Sequence, residues 1–113
     1  MKFTVDEKKF PTERFKEWYG EYEVLEITAK ELLEIDEEIA SEQARQGVPL
    51  SERIFDIAEY NKHFIAKTCV KDGKNLTIKQ VMQLPAKLYQ FLYMKSQELN
   101  LITASEQSFL SSE

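Results

Sequence analysis

Few residues in this chain are of types that do chemistry. It holds one histidine, His63, one cysteine, Cys69, and twenty acidic side chains. One histidine and one cysteine cannot build any common zinc site, and a lone cysteine permits no internal disulfide. His63 follows Glu59 by four residues, so a helix sets them on one face as a single carboxylate–histidine pair. A helical di-metal site needs at least two such motifs, and His63 therefore reads as part of an exposed surface pair. Cys69 lies among apolar residues and reads as a small buried hydrophobe rather than a reactive thiol. Asp36 falls on the apolar arc of its helix, where a carboxylate must find a partner or protonate, and a place at the rim beside a lysine or a backbone amide is expected. There is no Gly-rich loop, no Gly-x-Ser-x-Gly elbow and no helix with paired histidines. The expectation is a protein that is not an enzyme, with no catalytic, cofactor-binding or metal-ligating residues and no cofactor.

The elements that position these residues are expected to be long, because three glycines and three prolines in 113 residues punctuate the chain sparsely. Residues 1–20 show no clear period and read as a loosely packed lead-in. Tyr22 and Val24, with Leu25 and Ile27, alternate with glutamates as a half-buried strand does, and a pairing with Phe15–Tyr19 across Gly20 would make a short N-terminal β-hairpin. Thr28 and Glu31 form a capping box that opens a helix ending near Gly47, with Pro49 beyond. Ser51 caps a second helix that runs to about Val70, before Asp72-Gly73 turns the chain. Thr77 and Gln80 form another capping box, for a short helix interrupted at Leu84-Pro85. Pro85 starts a third long helix to Asn100, and Thr103 with Glu106 caps a last short helix whose Ser-Ser-Glu end frays. The sum is a mainly α single domain over 1–113: three longer and one or two short helices, a short N-terminal hairpin, and loose packing at 1–20 and 104–113.

The helix faces indicate where partners bind. Helix 29–46 gathers Ala29, Leu32, Leu33, Ile35, Ile39, Ala40 and Ala44 on half its circumference and five glutamates on the other half, a solvated surface. Helix 52–70 carries Ile54, Phe55, Ile57, Ala58, Phe64, Ile65, Ala66 and Cys69 over two-thirds of its surface, which marks it as central, with His63 on a polar strip beside Asp56, Glu59 and Lys67. In helix 85–100, Leu88, Leu92 and Leu99 with Phe91 supply one core stripe, while Tyr89 and Tyr93 lie on one flank and Met94 on the other. Either the terminal helix packs over these side chains as core or a partner does, and Tyr89, Tyr93 and Met94 are the candidate partner-binding residues, because tyrosine and methionine suit adaptable interfaces.

Composition sets the outer bounds. Apolar residues make up 42% and charged residues 31%, which excludes disorder and collagen-like repetition. No apolar run reaches the ~20 residues of a membrane span, and Asp6 and Glu7 end any signal-peptide pattern, so a cytoplasmic protein without membrane contact is expected. A net charge of −5 argues against nucleic-acid binding. Charge is also segregated: residues 26–42 carry a balance of −6 and residues 62–95 a balance of +6. The acidic half could attract the basic half of a neighbouring copy, so self-association is a candidate alongside pairing within the chain.

The order of pieces resembles a known family. The strand-like Glu21–Ile27 leads into Thr28-Ala-Lys-Glu-Leu-Leu-Glu-Ile-Asp36. Val70-Lys-Asp-Gly73, Leu76-Thr77, Val81 and Leu84-Pro85 follow, and then a helix ending Glu98-Leu-Asn100. Over roughly residues 20–110 this is similar to the small tail assembly chaperones of long-tailed bacteriophages and prophages. The resemblance implies a non-enzymatic helical protein of virion assembly in the bacterial host cytoplasm. Its partners would be the tape measure protein and the tail tube protein, the first coated before the tube polymerises and the second recruited to it. The alternative is a small acidic helical adaptor or inhibitor that binds a basic surface of a host or phage protein.

Overall fold

The aromatic residues ahead of Gly20 have no period because they are buried from a turn rather than from a regular element. The computed structural model describes residues 1–52, 57–102 and 104–111. Its first strand, β1 (Lys2–Val5), is followed by a 3₁₀ turn over Glu13–Trp18 that buries Phe15 and Trp18. Strand β2 (Gly20–Val24) comes next. Two phenols fasten this segment: the Tyr19 hydroxyl donates to the Phe10 carbonyl at 2.7 Å and the Tyr22 hydroxyl to the Trp18 carbonyl at 2.6 Å. Residues 1–20 are thus part of the core, with Val5, Phe10, Phe15 and Trp18 all buried, and not a loose lead-in. The expected hairpin partner is corrected as well. Residues 15–18 belong to the 3₁₀ turn, and β2 pairs instead with β1, setting Phe3 against Tyr22 and Val5 against Gly20.

The helix α1 (Ala29–Arg45) begins at the capping box read from the sequence, with the Thr28 hydroxyl accepting from the Glu31 amide and the Glu31 carboxylate accepting from the Thr28 amide. A short 3₁₀ turn at Leu50–Glu52 precedes α2 (Ile57–Thr68). The expectations for Ile54, Phe55 and Asp56, for Thr103 as a cap and for the final two residues lie outside the described residues. Helix α2 is shorter than expected, because Cys69 and Val70 open strand β3 (Cys69–Lys71), which pairs with β2. Asp72 and Gly73, both at positive φ, make the two-residue loop to β4 (Lys74–Asn75), the backbone that a tight hairpin requires. The sheet is therefore four antiparallel strands in the order β1-β2-β3-β4, larger than a hairpin, within a mainly helical fold.

Helix α3 (Ile78–Gln83) starts at the Thr77–Gln80 capping box and stops at Leu84, whose extended backbone suits the residue before a proline. Helix α4 (Ala86–Asn100) follows, and α5 (Ala104–Ser111) ends the described chain. Helix α2 is central, touching α1, α3, α4, β3 and β4. One side of it, through Ile65, joins the main core of sheet, 3₁₀ turn, α3 and α4, with Leu88 and Leu92 fully buried. Its other side, through Phe64, joins a second core with Ile35 and Ile39 of α1. Where α2 meets α4, Thr68, Cys69 and Ser96 are all buried, and the Thr68 and Ser96 hydroxyls are hydrogen-bonded at 2.9 Å. The molecule is a slab of 48 × 46 × 22 Å, and its radius of gyration of 16.1 Å exceeds the ~13 Å of a compact chain of about 100 residues.

Candidate protein-binding cleft

The acidic face of α1 does not all face water. Glu34 and Glu38 stand one turn apart on α1, His63 and Lys67 one turn apart on α2, and the packing of the two helices brings the pairs together. Lys67 Nζ lies 3.3 Å from Glu34 Oε2 and 3.1 Å from Glu38 Oε1, and His63 Nδ1 lies 2.9 Å from Glu38 Oε2. Since an ionised carboxylate only accepts, the imidazole donates through Nδ1. Burial works against the Glu38 carboxylate, but hydrogen bonds and charge from His63 and Lys67 outweigh it and hold its pKa below the ordinary glutamate value. The same balance runs the other way at Lys67, where partial burial is outweighed by Glu38 and Glu34 and the pKa is raised. His63 is thus neither exposed nor paired with Glu59 as the sequence suggested; its side chain is 15% exposed, and its partner comes from another helix. Glu59 instead bonds Lys62.

Beside this network α1, α2 and α3 enclose a half-open cleft of about 1320 Å³. Carboxylates of Glu37, Glu38 and Glu42 line one wall, Lys62, His63 and Lys67 the other, and Ile39, Leu76, Ile78 and Met82 give it an apolar floor. Met82 is 66% exposed although Val81 beside it is buried, because a helix as short as α3 turns only one face to the core. The three-residue spacing of Ile78, Val81 and Leu84 could have flagged Val81 in the sequence; nothing in it marked Met82 or Ile78 as cleft residues, since the cleft exists only because α1 and α3 both pack on α2.

The residues singled out from the sequence are placed elsewhere. Tyr89 and Tyr93 stack on each other with ring centroids 6.4 Å apart, and Tyr93 meets Phe64 edge-on at 6.5 Å. Tyr93 touches both cores, and its hydroxyl accepts from Gln97 Nε2 at 2.9 Å, so the pair is half-buried against the protein itself. Burial, reinforced by Tyr93, raises the pKa of Tyr89 despite nearby Lys62. Met94 is 45% exposed on the same helix. Asp36 is exposed and not within the core, because the buried line of α1 runs through Ile35 and Ile39 and leaves Leu33 61% exposed. Cys69 is fully buried, as read, though in a strand; burial raises its thiol pKa against the hydrogen bonds of Ser96 and Thr68.

Among the described residues no three His, Cys, Asp or Glu side chains are grouped to hold a metal ion, and no helix is long and apolar enough to cross a membrane. Most of the charged groups beside the cleft lie in ion pairs, and Glu37 is exposed. Comparison with family models, with curated proteins and with solved structures finds no match to this chain.

Proposed function

We propose that this chain is a phage tail assembly chaperone, a non-enzymatic protein of the bacterial host cytoplasm that binds the tape measure protein and helps bring tail tube subunits to it. The observation that carries this reading is the cleft between α1 and α3, whose volume and apolar floor suit a segment of polypeptide. Its companion is the supply of uncovered apolar side chains on the helices, with Leu33, Ile57, Met82 and Leu110 each at least 60% exposed. Surfaces of this kind serve a protein that must hold a long client, because apolar contact supplies affinity without demanding one sequence. The acidic-adaptor alternative is less favoured, since Glu34 and Glu38 of the acidic face are engaged by Lys67 and His63 of the same chain.

Co-expression with the tape measure protein of the same gene cluster tests the reading. The expected outcome is a soluble complex captured through either protein, and a client that precipitates when this chain is left out. A tape measure protein equally soluble alone and never captured would overturn it.

A further inference from the structure

We propose that the cleft is a docking groove for one amphipathic helix of a partner polypeptide, which lays an apolar edge on Ile78, Met82 and Ile39 and turns a lysine- or arginine-bearing flank to α1. The inference rests on the reading of the chain as a protein-binding chaperone only in taking the occupant to be polypeptide.

Three observations carry it. First, at about 1320 Å³ the cleft exceeds the ~300–1,000 Å³ typical of small-molecule sites, and it is half-open, as a groove is. Second, its floor is apolar, and a methionine that is 66% exposed is the adaptable contact that helix-binding grooves use. Third, the charges around it do not cancel. Five glutamates line it against Arg45, Lys62, Lys67 and His63, so carboxylates are in excess whatever the state of the imidazole. Arg45 answers Glu42 and Lys62 answers Glu59, while Glu34 and Glu38 share Lys67 and His63 takes the second Glu38 oxygen. Glu37 is exposed and carries no ion pair among the described residues. The surplus negative charge sits on the α1 wall, while the cations and His63 of the α2 wall are already engaged. A helix entering the groove therefore meets attraction for a cationic flank on the α1 side, which sets its orientation as well as its identity.

Two labelled peptides of about 15 residues, roughly 22 Å long at the helical rise, provide the test. Both carry the same leucine edge; one has lysine flanks and the other glutamate flanks. Fluorescence anisotropy with the full chain is expected to show the lysine peptide binding at least about tenfold more tightly, a difference of about 1.4 kcal/mol. Met82→Glu should weaken the lysine peptide by about tenfold or more, and Glu37→Lys should narrow the preference between the two peptides. Both positions are exposed, so unchanged helix content by circular dichroism verifies that the variants fold. Equal binding of the two peptides, no binding of either, or indifference to Met82→Glu and Glu37→Lys would overturn the proposal. So would a chain that self-associates in sedimentation and loses that association with Met82→Glu, for the occupant would then be a second copy. A tape measure fragment captured equally by wild type and Met82→Glu would leave the chaperone reading standing and remove the groove. Lysine-peptide binding without capture of any tape measure fragment would do the reverse.

Discussion

His63 and Glu38, 25 residues apart in sequence, meet at 2.9 Å and fasten the middle of α2 to the middle of α1. Lys67 completes the junction at 3.1 Å from the other Glu38 oxygen. This small polar clamp lies beside the second core, where Ile35, Ile39 and Phe64 are the only fully packed apolar groups holding α1 to the body among the described residues.

The clamp gives the chain an acid-sensitive joint. Glu38 has a pKa below its ordinary value in the folded state, so its contribution to stability is present above the unfolded carboxyl pKa, ~4.3. As pH falls through the depressed folded value, the carboxylate protonates and that contribution disappears. Thermal unfolding of wild type and Glu38→Gln should therefore differ at neutral pH, with wild type higher, and converge as pH is lowered below the ordinary glutamate range. A difference that stayed constant down to strongly acid pH would show that Glu38 is not the titrating group.

Tyr93 is expected to be a stability residue before it is a contact residue, since its ring touches both cores and meets Phe64 edge-on. Tyr93→Ser should cost about 2–4 kcal/mol of unfolding free energy, the scale of a large truncation at a packed site. Tyr93→Phe, which loses only the hydrogen bond from Gln97, should cost about 1 kcal/mol or less. Chemical denaturation measures both. A Tyr93→Ser variant of wild-type stability that failed to bind a client would return the tyrosines to the role read from the sequence.

Cys69 should be inert in the native chain, because it is fully buried and its thiol pKa is raised by that burial. A thiol reagent at neutral pH is expected to label it only after denaturant is added. Ser96→Ala, which takes a partner from the Thr68 hydroxyl, should cost about 1–2 kcal/mol without increasing labelling in native buffer. Rapid labelling of the folded wild type would contradict the packing of α2 on α4.

Gly20 is required by its surroundings as much as by its backbone. It sits at φ +154°, and a Cβ there would stand 2.8 Å from both carboxylate oxygens of Asp72. Asp72 Oδ1 in turn accepts from the Glu21 amide at 3.0 Å, so the carboxylate is held in place. Gly20→Ala is expected to destabilise by roughly 1–3 kcal/mol, the cost of a strained backbone position. Adding Asp72→Gly, which removes the clash and keeps a residue suited to positive φ, should recover part of that loss. Full tolerance of Gly20→Ala alone, seen as an unchanged unfolding midpoint, would refute the account.

What the sequence determined by itself was everything governed by neighbours along the chain. The Thr28–Glu31 and Thr77–Gln80 capping boxes are bonds within four residues, and the Asp72-Gly73 turn and the break at Leu84-Pro85 are constraints on adjacent dihedrals. The central place of α2 was legible too, because a helix apolar over two-thirds of its surface must be covered on several sides. Tertiary structure decided the rest, for lack of any local rule. Phe15 and Trp18 are buried from a 3₁₀ turn and Phe10 from the loop before it, which leaves no period to read, and β1 is a four-residue strand recognisable only by its pairing with β2. Half of the apolar arc of α1 is left in solvent, since a helix in contact with α2 along one line buries the residues on that line, Ile35 and Ile39, and half-buries Leu32 beside them. The partner of His63 was likewise beyond the sequence. An i,i+4 carboxylate is always visible in a helix, whereas Glu38 comes within hydrogen-bonding distance only because a second helix lies across the first, and the cleft beside them exists for the same reason.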